Sequence, residues 1–158
     1  MQRTVIVARS AAVSIRPFKT VETLLGGRSV LRATPRSSLD WVEVIRKGIP
    51  AAAVESLTRT IGISQSELAA TLGIPERTLA RRKRGGMLNS EESGKLVRLA
   101  RVVRRAVEVF EDHDAALNWL KSPNAALSGA APLNLLDTEI GAENVLDTLG
   151  RIEHGVFG

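Results

Sequence analysis

SQSELAATLGIPERTLARRKRGG, residues Ser64–Gly86, is the stretch that decides the fold. Ser64 and Glu67 stand at capping-box spacing, where each satisfies the other's backbone N–H at the start of a helix. Leu68 and Leu72 lie four apart on one face, and Ala69 precedes Gly73 by four. A second helix that crosses closely over the first needs a small residue there, and the glycine supplies the positive φ of a tight turn. Pro75 suits the first turn of that second helix, from which Leu79, together with Ile74, joins Leu68 and Leu72 in a core. Glu76, Arg77, Ala80, Arg81 and Arg84 are left facing outward. The pattern reads as a helix-turn-helix. A helix of this kind fits the major groove of B-DNA, where arginine bonds guanine bidentately or pairs with phosphate. Gln65, at the start of the preceding helix, is placed to touch backbone phosphate. The expected DNA-binding set is therefore Gln65, Glu76, Arg77, Arg81 and Arg84. Arg82 departs from the usual apolar residue at its position, and its stem is expected to cover the core while its charge stays in water. A basic helical hairpin that binds no DNA is the plainer alternative, but cap, leucine pair, alanine, glycine, proline and arginine face all coincide.

Upstream, residues 1–37 read as loosely organised. VETLLGG (Val21–Gly27) is a short helix stopped by Gly26 and Gly27, and TVIVA (Thr4–Ala8) has strand character without an evident partner. Ser37 or Ser38 caps a helix to about Lys47 with Leu39, Val42, Ile45 and Trp41 on its apolar side. Gly48 and Pro50 end it, and a third helix runs from Ala51 to about Ile61.

Downstream, Ser90 with Glu91 and Glu92 in the first turn marks the start of a long helix. Leu96, Leu99, Val103, Val107 and Phe110 recur along it at steps of three and four. Lys95, Arg98, Arg101, Arg104 and Arg105 are read as its solvent face. A helix over about Asp114–Leu120 follows, then a loop over Asn124–Ala131, one helical turn at Pro132–Leu136, and a helix over Ala142–Leu149 ended by Gly150. Trp119, Leu117 and Leu120 are expected in the core, and His113 at the surface of a helix boundary. His154 has no second ligand nearby in sequence, so no metal site is expected.

The 158 residues are 44% hydrophobic but only 3% aromatic, so the core must be aliphatic, which favours helices. There is no cysteine, hence no disulfide and no thiolate metal site. No apolar run approaches the roughly 20 residues of a membrane span, and MQRTVIVARSAAVSIRPF lacks an uninterrupted apolar core, so no secretory signal is expected and the cytoplasm is the default. Residues 1–106 hold 20 Lys/Arg against 8 Asp/Glu, and residues 107–158 hold 2 against 9. A basic part can meet a polyanion and an acidic end a basic protein, although two solvated faces would look the same.

At this point the chain resembles a known family. Ser64–Gly86, ALNWLKSPNAAL (Ala116–Leu127), PLNLLDTEIG (Pro132–Gly141) and LGRIEHGVF (Leu149–Phe157) occur in the order found in Xre/MbcA/ParS antitoxins, most of all those paired with RES-domain toxins. The resemblance runs from about Ile49 to Gly158. It implies an all-α chain with a helix-turn-helix DNA-binding domain over 49–106 and a small helical toxin-binding domain over 107–158; it carries nothing onto the N-terminal segment over 1–48, which is a candidate for dimerisation alongside the long helix. It implies a homodimer that binds its own operator DNA and inhibits a cognate RES toxin that consumes NAD⁺. It further implies that the C-terminal segment plugs the toxin's active site, through Arg151, Ile152, Glu153, His154, Gly155, Val156 and Phe157. The residues suit that role: Gly150, Gly155 and Gly158 make the segment adaptable, Ile152, Val156 and Phe157 are apolar anchors, and Glu153 and the terminal carboxylate can pair with positive charge.

Two other functions compete. A free-standing helix-turn-helix repressor would share the DNA-binding half and differ in its partner. An enzyme would need a nucleophile–base pair, a metal constellation or a phosphate-binding glycine loop, and none is present in the sequence. No cofactor is expected.

Overall fold

The computed structural model describes residues 20–155, and within them every regular element is helical. The strand character of Thr4–Ala8 lies outside the described residues. In chain order the helices are α1 Val21–Leu24, α2 Arg28–Leu31, α3 Ser38–Lys47, α4 Ala52–Ile61, α5 Gln65–Leu72, α6 Glu76–Gly85, α7 Ser90–Phe110, α8 His113–Lys121 and α9 Glu139–Glu153, with 3-10 turns at Ala125–Leu127 and Pro132–Leu135 between the last two.

α7 is the axis of the molecule. Leu96, Leu99, Val103 and Val107 are buried as their spacing predicts, but so are Val97, Ala100, Val102 and Ala106. An apolar stripe would bury one face; α7 is covered from several sides, because α1, α3, α5, α8 and α9 all pack on it. One continuous core results, running from Leu24 and Leu25 through Leu57, Leu68 and Leu79 to Leu120 and Leu149. Position 106 lies within α7, so the long helix belongs to both functional halves.

Several local expectations change. Residues 21–31 are not loose: Leu24, Leu25 and Leu31 are buried in the common core, which draws α1 and α2 onto α4 and α7. On α3, Leu39 is 78% exposed and Val42 is exposed too, while Trp41, Val44 and Ile45 pack inward. The cap at Ser37 is formed, its side chain accepting from Asp40 N–H at 3.2 Å. The long helix is capped by Asn89 and not by Ser90: Glu92 N–H donates to Asn89 Oδ1 at 2.8 Å, and Asn89 N–H donates to Glu92 Oε1 at 2.9 Å. Asn89 and Glu92 thus repeat the reciprocal cap of Ser64 and Glu67.

The last helix begins three residues earlier and ends four residues later than its apolar pattern indicates. Thr138 caps it by accepting from Gly141 N–H at 3.0 Å. Gly150 does not terminate it. The helix passes through Gly150 with Leu149 fully buried beside it and Ile152 half-buried two residues on, and a Cβ added at Gly150 would meet nothing. Gly141 is there for space: a Cβ would fall 1.8 Å from the Leu135 carbonyl oxygen, so the 3-10 turn and α9 can meet only over a glycine.

Candidate functional site

The local pattern of the helix-turn-helix is realised as its residues require. Ser64 N–H donates to Glu67 Oε1 at 2.8 Å and Glu67 N–H to Ser64 Oγ at 3.0 Å, closing the box that starts α5. Those bonds to Ser64 hold the Glu67 carboxyl below its ordinary pKa. α5 ends at Gly73, whose φ of +71° is the left-handed turn a side chain would resist. Leu68, Ala69, Leu72, Ile74 and Leu79 are buried beneath the pair. The turn also touches the C-terminal half, because a Cβ on Gly73 would lie 3.2 Å from Asp137 Cβ.

α6 sorts its charges by face. Glu76, Arg77, Arg81 and Arg84 are exposed, and among the described residues none of the three arginines has an ion-pair partner. Glu76 sits in the first turn of α6, where the helix dipole favours a negative charge. Gln65 is half-buried and accepts a hydrogen bond from Lys83 Nζ at 2.7 Å, while Lys83 also stands 3.7 Å from Glu55.

Arg82 behaves differently from its expectation. Its charge is not left in water: Nε donates to Glu92 Oε1 at 2.8 Å, with the Glu92 side chain only 8% exposed. Burial works against the Glu92 charge, but the Arg82 bond, the Asn89 backbone bond and the nearby Arg82 and Arg81 charges outweigh it and hold the carboxyl below its ordinary pKa. One carboxylate therefore caps α7 and anchors α6 to it. Ser93, fully buried next door, accepts from Ile49 N–H at 2.8 Å and so ties the α3–α4 junction to the same place. An antiparallel bridge between Pro50 and Met87, with Leu88 N–H donating to Ile49 O at 2.9 Å, completes the tie.

The basic residues of α7 are largely structural. Lys95 Nζ reaches Gly73 O at 3.3 Å, Arg98 Nη2 reaches Leu136 O at 3.2 Å, and Arg98 stands 3.7 Å from Glu139. Arg104 pairs with Glu108, and Arg105 pairs with Glu108 and Glu153. Only Arg101 of the five is exposed without such a bond among the described residues. Arg98 and Arg105 tie the C-terminal half to α7 and Lys95 ties the turn at Gly73 to it, so the five do not form a plain solvent face.

At the C-terminal end, Arg151, Ile152 and Glu153 form the last turn of α9. Ile152 is half-buried and Arg151 exposed. His154 closes the helix: its N–H donates to Gly150 O at 3.1 Å, and its Nδ1 lies 2.8 Å from the same oxygen. Gly155 follows with φ +72°. Val156 and Phe157 lie outside the described residues. The exposed side of α9 carries Ile140, 71% exposed, beside Glu139, Glu143, Asn144 and Asp147. His113 is not a plain surface residue: it is half-buried, with Nε2 3.2 Å from Thr60 O, and so fastens α8 to α4. Among the described residues no group of His, Asp or Glu is placed to hold a metal ion, and no helix is long and apolar enough to cross a membrane.

Of the residues that sequence reasoning passed over, Asn89 had a signal, since Asn-x-x-Glu is the same box as Ser-x-x-Glu. Arg105 had none, because its partner Glu153 is 48 residues away.

Comparison with known proteins places both halves. Residues 40–101 match the antitoxin Xre-like helix-turn-helix domain, and residues 105–155 match the antitoxin Xre/MbcA/ParS C-terminal toxin-binding domain. The chain is 37% identical over 118 residues to the antitoxin Xre of Yersinia enterocolitica, covering 73% of this chain and 80% of that one. It is 27% identical over 140 residues to a Sphingobium protein named Prs ADP-ribosylating antitoxin, covering 82% of this chain and 86% of that one. A chain of the MbcT–MbcA toxin–antitoxin complex of M. tuberculosis superimposes with a TM-score of 0.52 at 25% identity, over 68% of this chain and 96% of that one.

Proposed function

The chain belongs to the Xre/MbcA/ParS antitoxins, regulatory proteins and not enzymes, and from that premise we propose that it binds operator DNA through α6 as a two-fold dimer and neutralises a RES-type toxin that degrades NAD⁺. The observation that carries the DNA half is the sorting of charge on α6. Arg82 is paired with buried Glu92, while Arg77, Arg81 and Arg84 stand exposed with their donors unspent among the described residues. Unspent guanidinium forks on one helix face are the chemistry that reads guanine edges and phosphates. Glu76 adds an acceptor able to meet a cytosine amino group, and Lys83 with Gln65 supplies a polar pair at the start of α5. A monomer of this kind covers one half-site, so two copies cover an operator.

The toxin half rests on the acidic C-terminal region. Exposed Ile140 among Glu139, Glu143 and Asp147 offers an apolar contact ringed by negative charge, suited to a basic partner. The segment from Arg151 to Phe157 supplies the plug. The name of the Sphingobium relative agrees with NAD⁺ as the toxin's substrate, since ADP-ribosyl groups are drawn from NAD⁺.

The test induces the adjoining reading frame alone, with the full chain, and with a chain ended after Glu153, which keeps α9 whole. Growth arrest with loss of intracellular NAD⁺, rescued by the full chain only, is the expected result. Arrest with ADP-ribose on a target protein and NAD⁺ largely spared makes the toxin a transferase. A harmless neighbour refutes the toxin half and leaves a helix-turn-helix repressor with a different partner.

A further inference from the structure

The last turn of α9 holds an ion pair that ties it to α7. Arg105 on α7 grips Glu153 with both arms of its guanidinium: Nη1 donates to Oε2 at 3.2 Å and Nη2 to Oε1 at 2.5 Å. Arg105 Nη1 also donates to Glu108 Oε1 at 3.3 Å, and Glu108 in turn accepts from Arg104. Glu153 thus ends a row of alternating charges laid along α7. A forked bond to both carboxylate oxygens restrains rotation of α9 about its own axis as well as its distance from α7. The same contact holds the Glu153 carboxyl below its ordinary pKa and raises that of Arg105.

The position of the grip gives it a consequence. One residue after Glu153 the helix closes on Gly150 through His154, and two residues after it Gly155 turns with positive φ. Among the described residues, Arg105–Glu153 is the only ion pair made by the last turn of α9. Whatever orients that turn also orients His154 and Gly155, which directly follow it. A toxin cation that sought Glu153 would first have to break two charge-assisted bonds, so Glu153 is poorly disposed to serve as a plugging carboxylate.

We infer that Arg105 is a positioning residue for toxin neutralisation: it clamps Glu153, and Glu153 aims the C-terminal segment and does not itself meet the toxin. The inference rests on the reading of that segment as the toxin plug, and narrows it by taking Glu153 out of the contact.

The experiment uses the full-length chain and the purified product of the adjoining reading frame. Arg105→Glu, Glu153→Arg and the double reversal are compared for toxin affinity, for operator affinity and for thermal unfolding. Each single reversal is expected to weaken toxin binding about tenfold by setting like charges together. Operator affinity should stay within about twofold, since α6 is untouched, and the double reversal should recover most of the toxin binding. If a reversal prevents folding, Arg105→Gln, which keeps the stem and loses the charge, is expected to weaken binding about threefold. Full affinity in Arg105→Glu or Arg105→Gln overturns the clamp. A double reversal that melts like the parent yet binds as weakly as Glu153→Arg also overturns it, because Glu153 then meets the toxin directly. The plug reading fails separately, and takes the clamp with it, if a chain ended after Glu153 neutralises as well as the whole chain. Failure of the clamp alone leaves that shortened chain inactive.

Discussion

The outward face of α6 and the last turn of α9 are the two surfaces that the proposed function turns toward partners, and they handle charge in opposite ways. On α6, Arg77, Arg81 and Arg84 are exposed without ion-pair partners among the described residues. On α9, the carboxylate nearest the end is gripped by Arg105. A helix that reads a polyanion does best with its donors free, since every internal bond would have to be broken on binding. A segment that must enter a cavity does best with its base held rigid, because aiming a short peptide reduces the entropy lost on docking. Arg82 shows the rule within α6 itself. It is flanked by Arg81 and Lys83, yet its face turns to α7, so its charge serves the fold through Glu92.

The largest effect that would break this comparison lies on DNA. Arg77→Ala combined with Arg81→Ala is expected to reduce operator affinity by about a hundredfold or more, with each side chain accounting for roughly 1–3 kcal/mol. Toxin neutralisation and thermal stability should be unchanged. A gel-shift titration with unaltered midpoint would remove α6 from the groove.

A smaller effect separates neighbours on the same helix. Arg82→Ala removes the side-chain partner of buried Glu92, leaving its own cap and the more distant Arg81 charge, and is expected to cost about 1–3 kcal/mol in urea unfolding. Arg81→Ala should stay within about 0.5 kcal/mol, as ordinary surface substitutions do. Equal costs for the two would mean that α6 does not divide its charges between fold and partner.

The smallest effect concerns the helix that carries the clamp. Gly150 lies inside α9 with open space where a Cβ would go, so Gly150→Ala is expected to stabilise the chain by about 0.5–1 kcal/mol. A loss of stability in calorimetry would mean that α9 stops at Gly150, and that the turn holding Glu153 is not a fixed base.

Much of this molecule is legible in its residues. The box at Ser64 and Glu67, the glycine at 73 and the apolar quartet Leu68, Leu72, Ile74 and Leu79 determine the helix-turn-helix locally, because capping, positive φ and helical spacing act over a few residues. The exposed arginines of α6 follow from the same spacing, whereas the toxin-binding half is legible through the order of its motifs, by resemblance to its family. What needed the tertiary structure is whatever depends on two distant segments meeting. The burial of α1 and α2 follows from Leu24, Leu25 and Leu31 finding the core that α4 and α7 provide. The exposure of Leu39 and Val42 follows from which side of α3 faces α7. The extension of α9 through Gly150 follows from packing that overrides a weak helix former. The grip of Arg105 on Glu153 spans 48 residues. Sequence by itself determined the elements and the chemistry each one carries; only the packed chain decided which charges were already spent, because pairing depends on distance in space and not on distance along the chain.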